Sequence, residues 1–420
     1  MNGMIDVTQT DLGVTLRPVT RNDLPWMFQL ETDPSIIWRF RLGGRAKSID
    51  EYENIAFSQV LAQAIVVSNA DASPIGLVYA DKYDPTNGTA EFGLVAHPNS
   101  TGTGLVLHGM LLFIDRLFEQ FSLRKLVGES LEFNIGQFAN GTGMEDFSGV
   151  FSIETVFPAF YFLDGRYWDR FQIAIFREDW INHRAQMIQS ASNRMDRIRG
   201  TVKTPPTEAA EGDGTTSPSP VTGAFKGISM ESERFILRAI TPEQQDWCTS
   251  ILAAGSRSYS LRFHSVTLGP NDIALQLWGG VLCHFAVWDK RTNVPIALVC
   301  AYDVAGALMT GFVHAVIDTD AMRTGECKEA LLLFIQFMFS SWPLRKLYIR
   351  YVVVAPELDV WKEALEVEGT TQWESVGVQQ RHVNDAGVYF DQEIFELTRE
   401  RWDSIKHDLS DQLVVASSEG

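Results

Sequence analysis

The sequence predicts a mixed α/β protein in which one domain occurs twice. Three observations carry this. Residues 91–118, EFGLVAHPNSTGTGLVLHGMLLFIDRLF, read as a strand, a turn rich in Asn, Ser, Thr and Gly, and a long apolar helix. Strand-like and helix-like segments alternate on either side of that unit, as layered α/β folds require. The pattern then returns in the second half of the chain at a constant spacing.

Paired anchors define the spacing. Leu16-Arg17 followed by Trp26 returns as Leu237-Arg238 followed by Trp247, 221 positions on. Pro74-Ile75-Gly76-Leu77-Val78 is answered by Pro295-Ile296-Ala297-Leu298-Val299, Gly104 by Gly325, and Leu111-Leu112-Phe113-Ile114 by Leu332-Leu333-Phe334-Ile335. Leu123-Arg124-Lys125-Leu126 is repeated letter for letter at Leu344-Arg345-Lys346-Leu347. The spacing slips by one near the end, where Arg177 and Trp180 are answered by Arg399 and Trp402. A register held over so many anchors predicts a tandem duplication of a domain of about 180 residues, a size that folds alone. The expected layout is an N-terminal domain over 1–182, a helix and flexible linker over 183–230, and a more degenerate C-terminal domain over 231–408. The linker follows from 201–226, TVKTPPTEAAEGDGTTSPSPVTGAFK, which has almost nothing to bury.

Taken in order, the first copy opens with a strand at Val14–Pro18 and a helix over 23–31, capped by Asp23 or Asn22. Residues 64–68 and 75–81 are predicted strands. Residues 92–96 form the strand before the Gly turn, with Glu91 where it begins. In the following helix Leu107, Met110, Leu111, Ile114, Leu117 and Phe118 recur at helical spacing and mark one core-facing stripe. A strand at 125–130 comes next, and 168–176 closes the sheet, with Tyr167 and Trp168 read as hairpin packing residues. A helix over 179–199 leads into the linker.

Composition bounds the function. A chain of 420 residues with 45% hydrophobic and 21% charged residues is a globular protein of more than one domain. A formal net charge of −18 argues against the basic surface that nucleic acid or an acidic membrane would need. No signal peptide or membrane-spanning run is predicted. Cys248, Cys283, Cys300 and Cys327 show no CxxC spacing, so free thiols in the cytoplasm are expected rather than disulfides or a metal site.

The turn Pro98-Asn-Ser-Thr-Gly-Thr-Gly104 opens a helix, where free backbone N–H groups and the positive dipole end point the same way. It is either an anion site or a capped loop that binds nothing. His108, one turn into the helix, is a candidate phosphate contact or a plain helix position.

An opening LRPVTRNDLPWMFQLETDP, the central strand–Gly turn–helix and a closing DGRYWDRFQIAIFREDW, in that order, resemble the GCN5-related N-acetyltransferase (GNAT) superfamily, particularly its ribosomal-protein N-acetyltransferase-like branch. The likeness covers most of 14–182 and, through the repeat, most of 235–403. It implies two tandem GNAT-like domains, each a splayed mixed β-sheet flanked by helices. Acetyl-CoA or another acyl-CoA would lie in the splay, along Leu94, Val95 and Ala96, with its pyrophosphate on the Gly loop Thr101-Gly102-Thr103-Gly104-Leu105-Val106. That loop keeps the family's central glycine at Gly104 and departs at its first and last positions. Met322-Arg-Thr-Gly325-Glu-Cys327 departs at the same two places and adds an acidic residue. The family's pantetheine-contacting Asn matches Asn134, where the second copy has Ala355, and no clear counterpart of its general-acid Tyr follows Asn134.

Acylating an amine requires a neutral nitrogen and a polarised thioester. A carboxylate facing the thioester can take the ammonium proton, and strand N–H groups can stabilise the oxyanion. Glu91 fits that role or is a solvated strand-end carboxylate; the second copy has Phe312 there, with His314 nearby as substitute base or structural residue. Trp38, Arg39 and Arg41, with Arg45 and Lys47, form a basic-aromatic cluster on the implied acceptor side, suited to a carboxylate on the acceptor or simply solvated. The expectation is an acyl-CoA-dependent N-acyltransferase working in the first copy on a small amine or a peptide, as a monomer (an intramolecular pseudo-dimer) or a homodimer. The alternatives are a non-catalytic scaffold of two degenerate domains, or an enzyme drawing on an acyl carrier protein or running another reaction in the same cleft.

Overall fold

A computed structural model of the chain describes residues 12–33, 48–58, 60–100, 103–134, 149–163, 165–199, 231–240, 244–253, 280–305, 309–318, 327–385 and 387–409. The chain divides into two compact units, Met1–Ile153 with Gln172–Ala224, and Glu154–Phe171 with Phe225–Gly420.

The first unit begins with β1 (Val14–Pro18), α1 (Leu24–Glu31), α2 (Ile49–Ser58), β2 (Val60–Ser68), β3 (Pro74–Asp84) and β4 (Thr89–Ala96). It continues through α3 (Leu105–Gln120), β5 (Lys125–Leu131), the outer ends of the hairpin strands β6 (Phe151–Leu163) and β7 (Arg166–Phe176), and α4 (Arg177–Arg199). The sheet runs β1-β2-β3-β4-β5-β7. Neighbours are antiparallel from β1 to β4, and β4 and β5 are parallel, joined by α3 as the crossover. The predicted helical stripe faces the core: Met110, Leu111, Ile114, Leu117 and Phe118 are all buried, each contributing about 1.5–3 kcal/mol.

Asp23 is the N-cap residue of α1, but its carboxylate makes no capping hydrogen bond to that helix; it turns back to accept from Thr20 N (2.8 Å) and Arg17 Nη2 (2.8 Å), closing a 3-10 turn before it. One expectation is corrected here. Glu91 is interior to its strand, because β4 begins at Thr89 and is already paired there.

The last part of the first unit is tied to α3 by polar contacts. Arg177 donates to the carbonyls of Phe118, Phe121 and Leu123, satisfying the orphan acceptors at the C-terminal end of α3. Buried Asp115 accepts from Trp180 Nε1 (2.9 Å) and Arg184 Nη1 (3.0 Å).

The second unit contains β8 (Phe235–Ala239), α5 (Gln245–Ala253), β9 (Val281–Asp289), β10 (Val294–Ala305), β11 (Thr310–Ile317), α6 (Cys327–Ser341) and β12 (Lys346–Val352). After these come α7 (Pro356–Ala364), a short hairpin of β13 (Glu366–Val367) and β14 (Thr370–Thr371), β15 (Glu374–Asp385), β16 (Val388–Thr398) and α8 (Arg399–Ile405). Its sheet runs β6-β15-β16-β12-β11-β10-β9-β8, with β11 and β12 parallel. Residues 154–171, the tip of the β6–β7 hairpin, count with this unit. Phe157 and Phe160 pack with Tyr302, Phe312, Tyr348, Val376 and Ile394, and Arg345 Nη2 donates to Ala159 O (3.0 Å). Arg399 donates to Trp342 O and Leu344 O, both at 2.7 Å, beyond the end of α6.

Residues held in the left-handed region recur between the units: Ala72 (φ 58°) and Asn293 (52°), and Lys82 (45°) and Asp303 (48°). Side chains rarely adopt such angles without support from the surrounding fold.

Candidate active site

The site begins where two strands part. The β4–β5 ladder pairs Thr89–Phe92 with Lys125–Gly128 and ends there, although β4 runs on to Ala96 against β3 and β5 runs on to Leu131. The strands therefore form a fork. Gly128 is required at the branch: a Cβ on it would fall 2.7 Å from Phe92 Cζ. Past the branch, Leu94 and Ala96 are half-buried and Val95 is buried, while β5 offers only the small Ser130 beside them. Asn134 follows β5 three residues beyond Leu131 and is half-buried.

The turn into α3 is built by its hydroxyls. Ser100 Oγ donates to Ile75 O (2.8 Å), Thr103 Oγ1 donates to Ser100 O (2.7 Å), and Thr103 Oγ1 accepts from Leu105 N (3.3 Å). Gly104 is the N-cap, with φ 75° and ψ −9°, an angle that favours glycine. A Cβ there would meet nothing within 4 Å, so the space beside the cap is open. Leu105 is half-buried and Val106 is buried against the sheet. His108 points the other way; its Nδ1 donates to Leu12 O (3.0 Å) in the core. Thr101 and Gly102 lie outside the described residues, as do Trp38, Arg39, Arg41 and the second Gly turn.

Glu91 stands at the mouth of the fork, opposite Asp81 on β3 and Val127 on β5. Its side chain is 33% exposed, and Oε2 lies 2.8 Å from Lys82 Nζ. Lys82 reaches it from a β-bulge, where the β3–β4 register shifts between Asp81 and Asp84. Burial, and then repulsion from Glu129 on β5, hold the Glu91 carboxyl above its ordinary pKa, against the pull of Lys82. For the Lys82 ammonium desolvation works downward, but Glu91, Glu129 and Asp81 outweigh it and the pKa is raised. Gln172 Nε2 donates to Glu129 Oε1 (3.4 Å). A carboxylate whose pKa is raised and which stays accessible can accept a proton from an incoming ammonium. The sequence did not reveal Lys82 or Glu129. Lys82 depends on a bulge that the predicted strand end at residue 81 excludes, and Glu129 matters only because β5 leaves β4 one residue earlier.

The second unit has a fork one residue earlier, by the spacing of 221, with other side chains. The β11–β12 ladder ends at Phe312 and Tyr348. Every residue of β11 is buried, whereas β4 is half-exposed from Glu91 to Leu94. Tyr351 of β12 is 1% exposed, and its hydroxyl accepts from Ala315 N (2.8 Å) and donates to Ala315 O (3.0 Å). Trp361 Nε1 donates to the same hydroxyl at 2.8 Å. His314 stacks on the Tyr351 ring, centroids 4.7 Å apart and planes at 13°.

Residues 14–139 match the family described as acetyltransferase (GNAT) domain, so the first unit carries a GNAT acetyltransferase domain. No curated protein sequence matches the chain. Among solved structures, spermidine N-acetyltransferase from Vibrio cholerae in complex with CoA and spermine is 21% identical, with a TM-score of 0.35, over 40% of this chain and 98% of that one. The dodecameric structure of the Vibrio cholerae enzyme in an intermediate state is 22% identical, with a TM-score of 0.34, over 40% of this chain and 97% of that one. Among the described residues no helix is long and apolar enough to cross a membrane, and no three His, Cys, Asp or Glu side chains gather as metal ligands.

Proposed function

We propose that the chain is a tandem duplication of a GNAT domain whose first copy transfers an acetyl or other acyl group from CoA to a cationic amine, with Glu91 as general base. The observation that carries this is the open fork between β4 and β5 with Glu91 at its mouth. An extended pantetheine arm needs a strand edge whose N–H and C=O groups are accessible, and β4 past Phe92 offers one beside the small Ser130. Diphosphate needs donors and room, and the α3 N-terminus with its open Gly104 fits both. The donor supplies an activated acyl carbonyl when bound. Glu91 takes the proton from the acceptor ammonium, and backbone N–H groups of β4 face the oxygen on which charge develops.

The acceptor class follows from charge. Asp81, Glu91 and Glu129 surround the mouth with Lys82 as counter-ion, so a positively charged amine is attracted and an acidic acceptor repelled. Duplication is supported by the shared backbone strain at equivalent positions, such as Lys82 and Asp303.

The test is calorimetric titration of the full chain with acetyl-CoA and CoA, followed by a thiol-release assay over a panel of amines. Gly104→Asp places a carboxylate where the diphosphate would sit, and Asp tolerates the backbone angle. It is expected to abolish binding, while the uncharged Gly104→Asn retains it within about tenfold. Undiminished binding by Gly104→Asp, or no binding by the unmodified chain at millimolar ligand, refutes the reading.

A further inference from the structure

The second unit's fork is filled from within. Ala315 lies opposite Val299 on β10, in the register that sets Leu94 opposite Val78 on β3. Its N–H and C=O turn away from β10 and into the fork, where both are bonded to one phenol oxygen. That oxygen donates once and accepts twice, counting Trp361 Nε1, which exhausts the capacity of a hydroxyl. The indole is locked in turn: Trp361 is fully buried, its carbonyl accepts from Trp373 Nε1 (3.0 Å), and the two rings meet edge to face at 5.8 Å. Burial pushes the Tyr351 phenol well above its ordinary pKa, so it stays a neutral donor. The position corresponding to Tyr351 in the first unit is Ser130, whose hydroxyl is too short to reach across a fork and bonds its own neighbour's carbonyl.

We infer that the second unit carries its own occupant: Tyr351, held by Trp361, takes the backbone edge at Ala315 that an acyl-CoA pantetheine arm would need, so this unit binds no acyl-CoA. The inference rests on the shared fold of the two units and not on activity in the first. A ligand entering here would have to displace three hydrogen bonds from a buried hydroxyl and leave Trp361 Nε1–H unpaired, which outweighs what two new backbone bonds return.

Amide hydrogen exchange on the full chain tests it, following peptides that cover 310–317 and 89–96 with and without 1 mM CoA. The 310–317 peptide is expected to be strongly protected without ligand and unchanged by CoA. Tyr351→Phe, which keeps the ring and removes the hydroxyl, is expected to speed exchange in that peptide about tenfold. Added protection of 310–317 by CoA, or exchange unaltered by Tyr351→Phe, overturns the inference. The 89–96 peptide reads the first unit separately. If CoA leaves 89–96 unprotected, the proposed function fails while the plugged second fork still stands or falls on its own peptide.

Discussion

Glu91→Gln separates a base from a structural carboxylate. A primary amine of pKa about 10.4 is neutral in roughly one molecule in 2,500 at pH 7. With Glu91 in place the abundant ammonium form is productive, because its proton has somewhere to go. Without it, only the pre-formed neutral amine reacts. The variant is expected to lose about 10²–10⁴ in kcat/KM at pH 7, then to recover about tenfold per pH unit until pH approaches the acceptor's own pKa. Binding of CoA should be untouched, since Glu91 lies at the mouth and not along the β4 edge.

Stability gives the second readout. The folded pKa of Glu91 is raised, so its favourable contribution is present below the unfolded pKa and is lost as pH rises through the folded one. Once ionised, the carboxylate, crowded by Glu129 and Asp81, costs stability. Lys82 is 67% exposed and hydrates freely once its partner is neutral. Glu91→Gln should therefore leave the Tm unchanged or higher while activity falls. A stopped-flow or thiol-release pH profile from 6 to 10 with matched melting curves decides it. A ratio of wild-type to variant rates that stays flat across that range, or a Tm that falls with the activity, refutes the assignment.

Two further predictions concern what holds the second unit together. Lys346 Nζ lies 2.9 and 3.2 Å from the Glu396 carboxylate oxygens and 2.6 Å from Pro158 O, and both side chains are nearly inaccessible. Lys346→Met leaves a buried carboxylate without its cation and is expected to cost about 3–5 kcal/mol by urea unfolding, with Lys346→Met/Glu396→Leu recovering most of it; a loss under 1 kcal/mol would mean that Glu396 is solvated. Asp289 accepts from Arg291 and Arg234, and these bonds outweigh the desolvation that opposes them, holding its carboxyl down at about 2. A depressed pKa contributes stability above the unfolded value that is lost as pH falls through the folded one, so Asp289→Asn should cost about 2 kcal/mol at pH 7 and progressively less from pH 4 to pH 2, and a pH-independent difference would refute the ion-pair account.

The anchors that the sequence pairs at a spacing of about 221 residues perform matching backbone tasks in the two units. Arg177 and Arg399 both satisfy carbonyls at the end of a crossover helix, and Trp180 and Trp402 both bury an indole against that helix, 6.4 Å from Phe118 and 6.2 Å from Phe339. Periodicity found α3 because a 3.6-residue stripe is a local property. It missed α2, whose sequence IDEYENIAFS buries only Tyr52 and Ala56, a stripe of less than three turns. A splay in the sheet was legible only through the family resemblance, and its branch point was out of reach, since that depends on where two strands 36 residues apart stop pairing, at Phe92 and Gly128. Glu91 was recoverable as a strand carboxylate; its electrostatic setting was not, because Lys82 arrives through a bulge and Glu129 through β5.

The bulge bears on how strain should be read. Backbone strain often marks function, yet Lys82 at φ 45° and Asp303 at φ 48° carry the same strain at corresponding places. Around Lys82 stand Asp81, Glu91 and Glu129. In the second unit the corresponding residues are Tyr302, Phe312 and Arg350, and the Arg350 guanidinium lies over the Phe312 ring at 4.9 Å and 3.9 Å from Asp303. The same strain is thus present where the positions matching the three carboxylates hold two rings and an arginine, and where Tyr351 fills the fork. It belongs to the sheet, which needs the bulge to turn β3 and β10 at their ends, and not to the chemistry. What the bulge does for the first unit is deliver whatever side chain it bears to the branch point, and there it delivers a cation to Glu91.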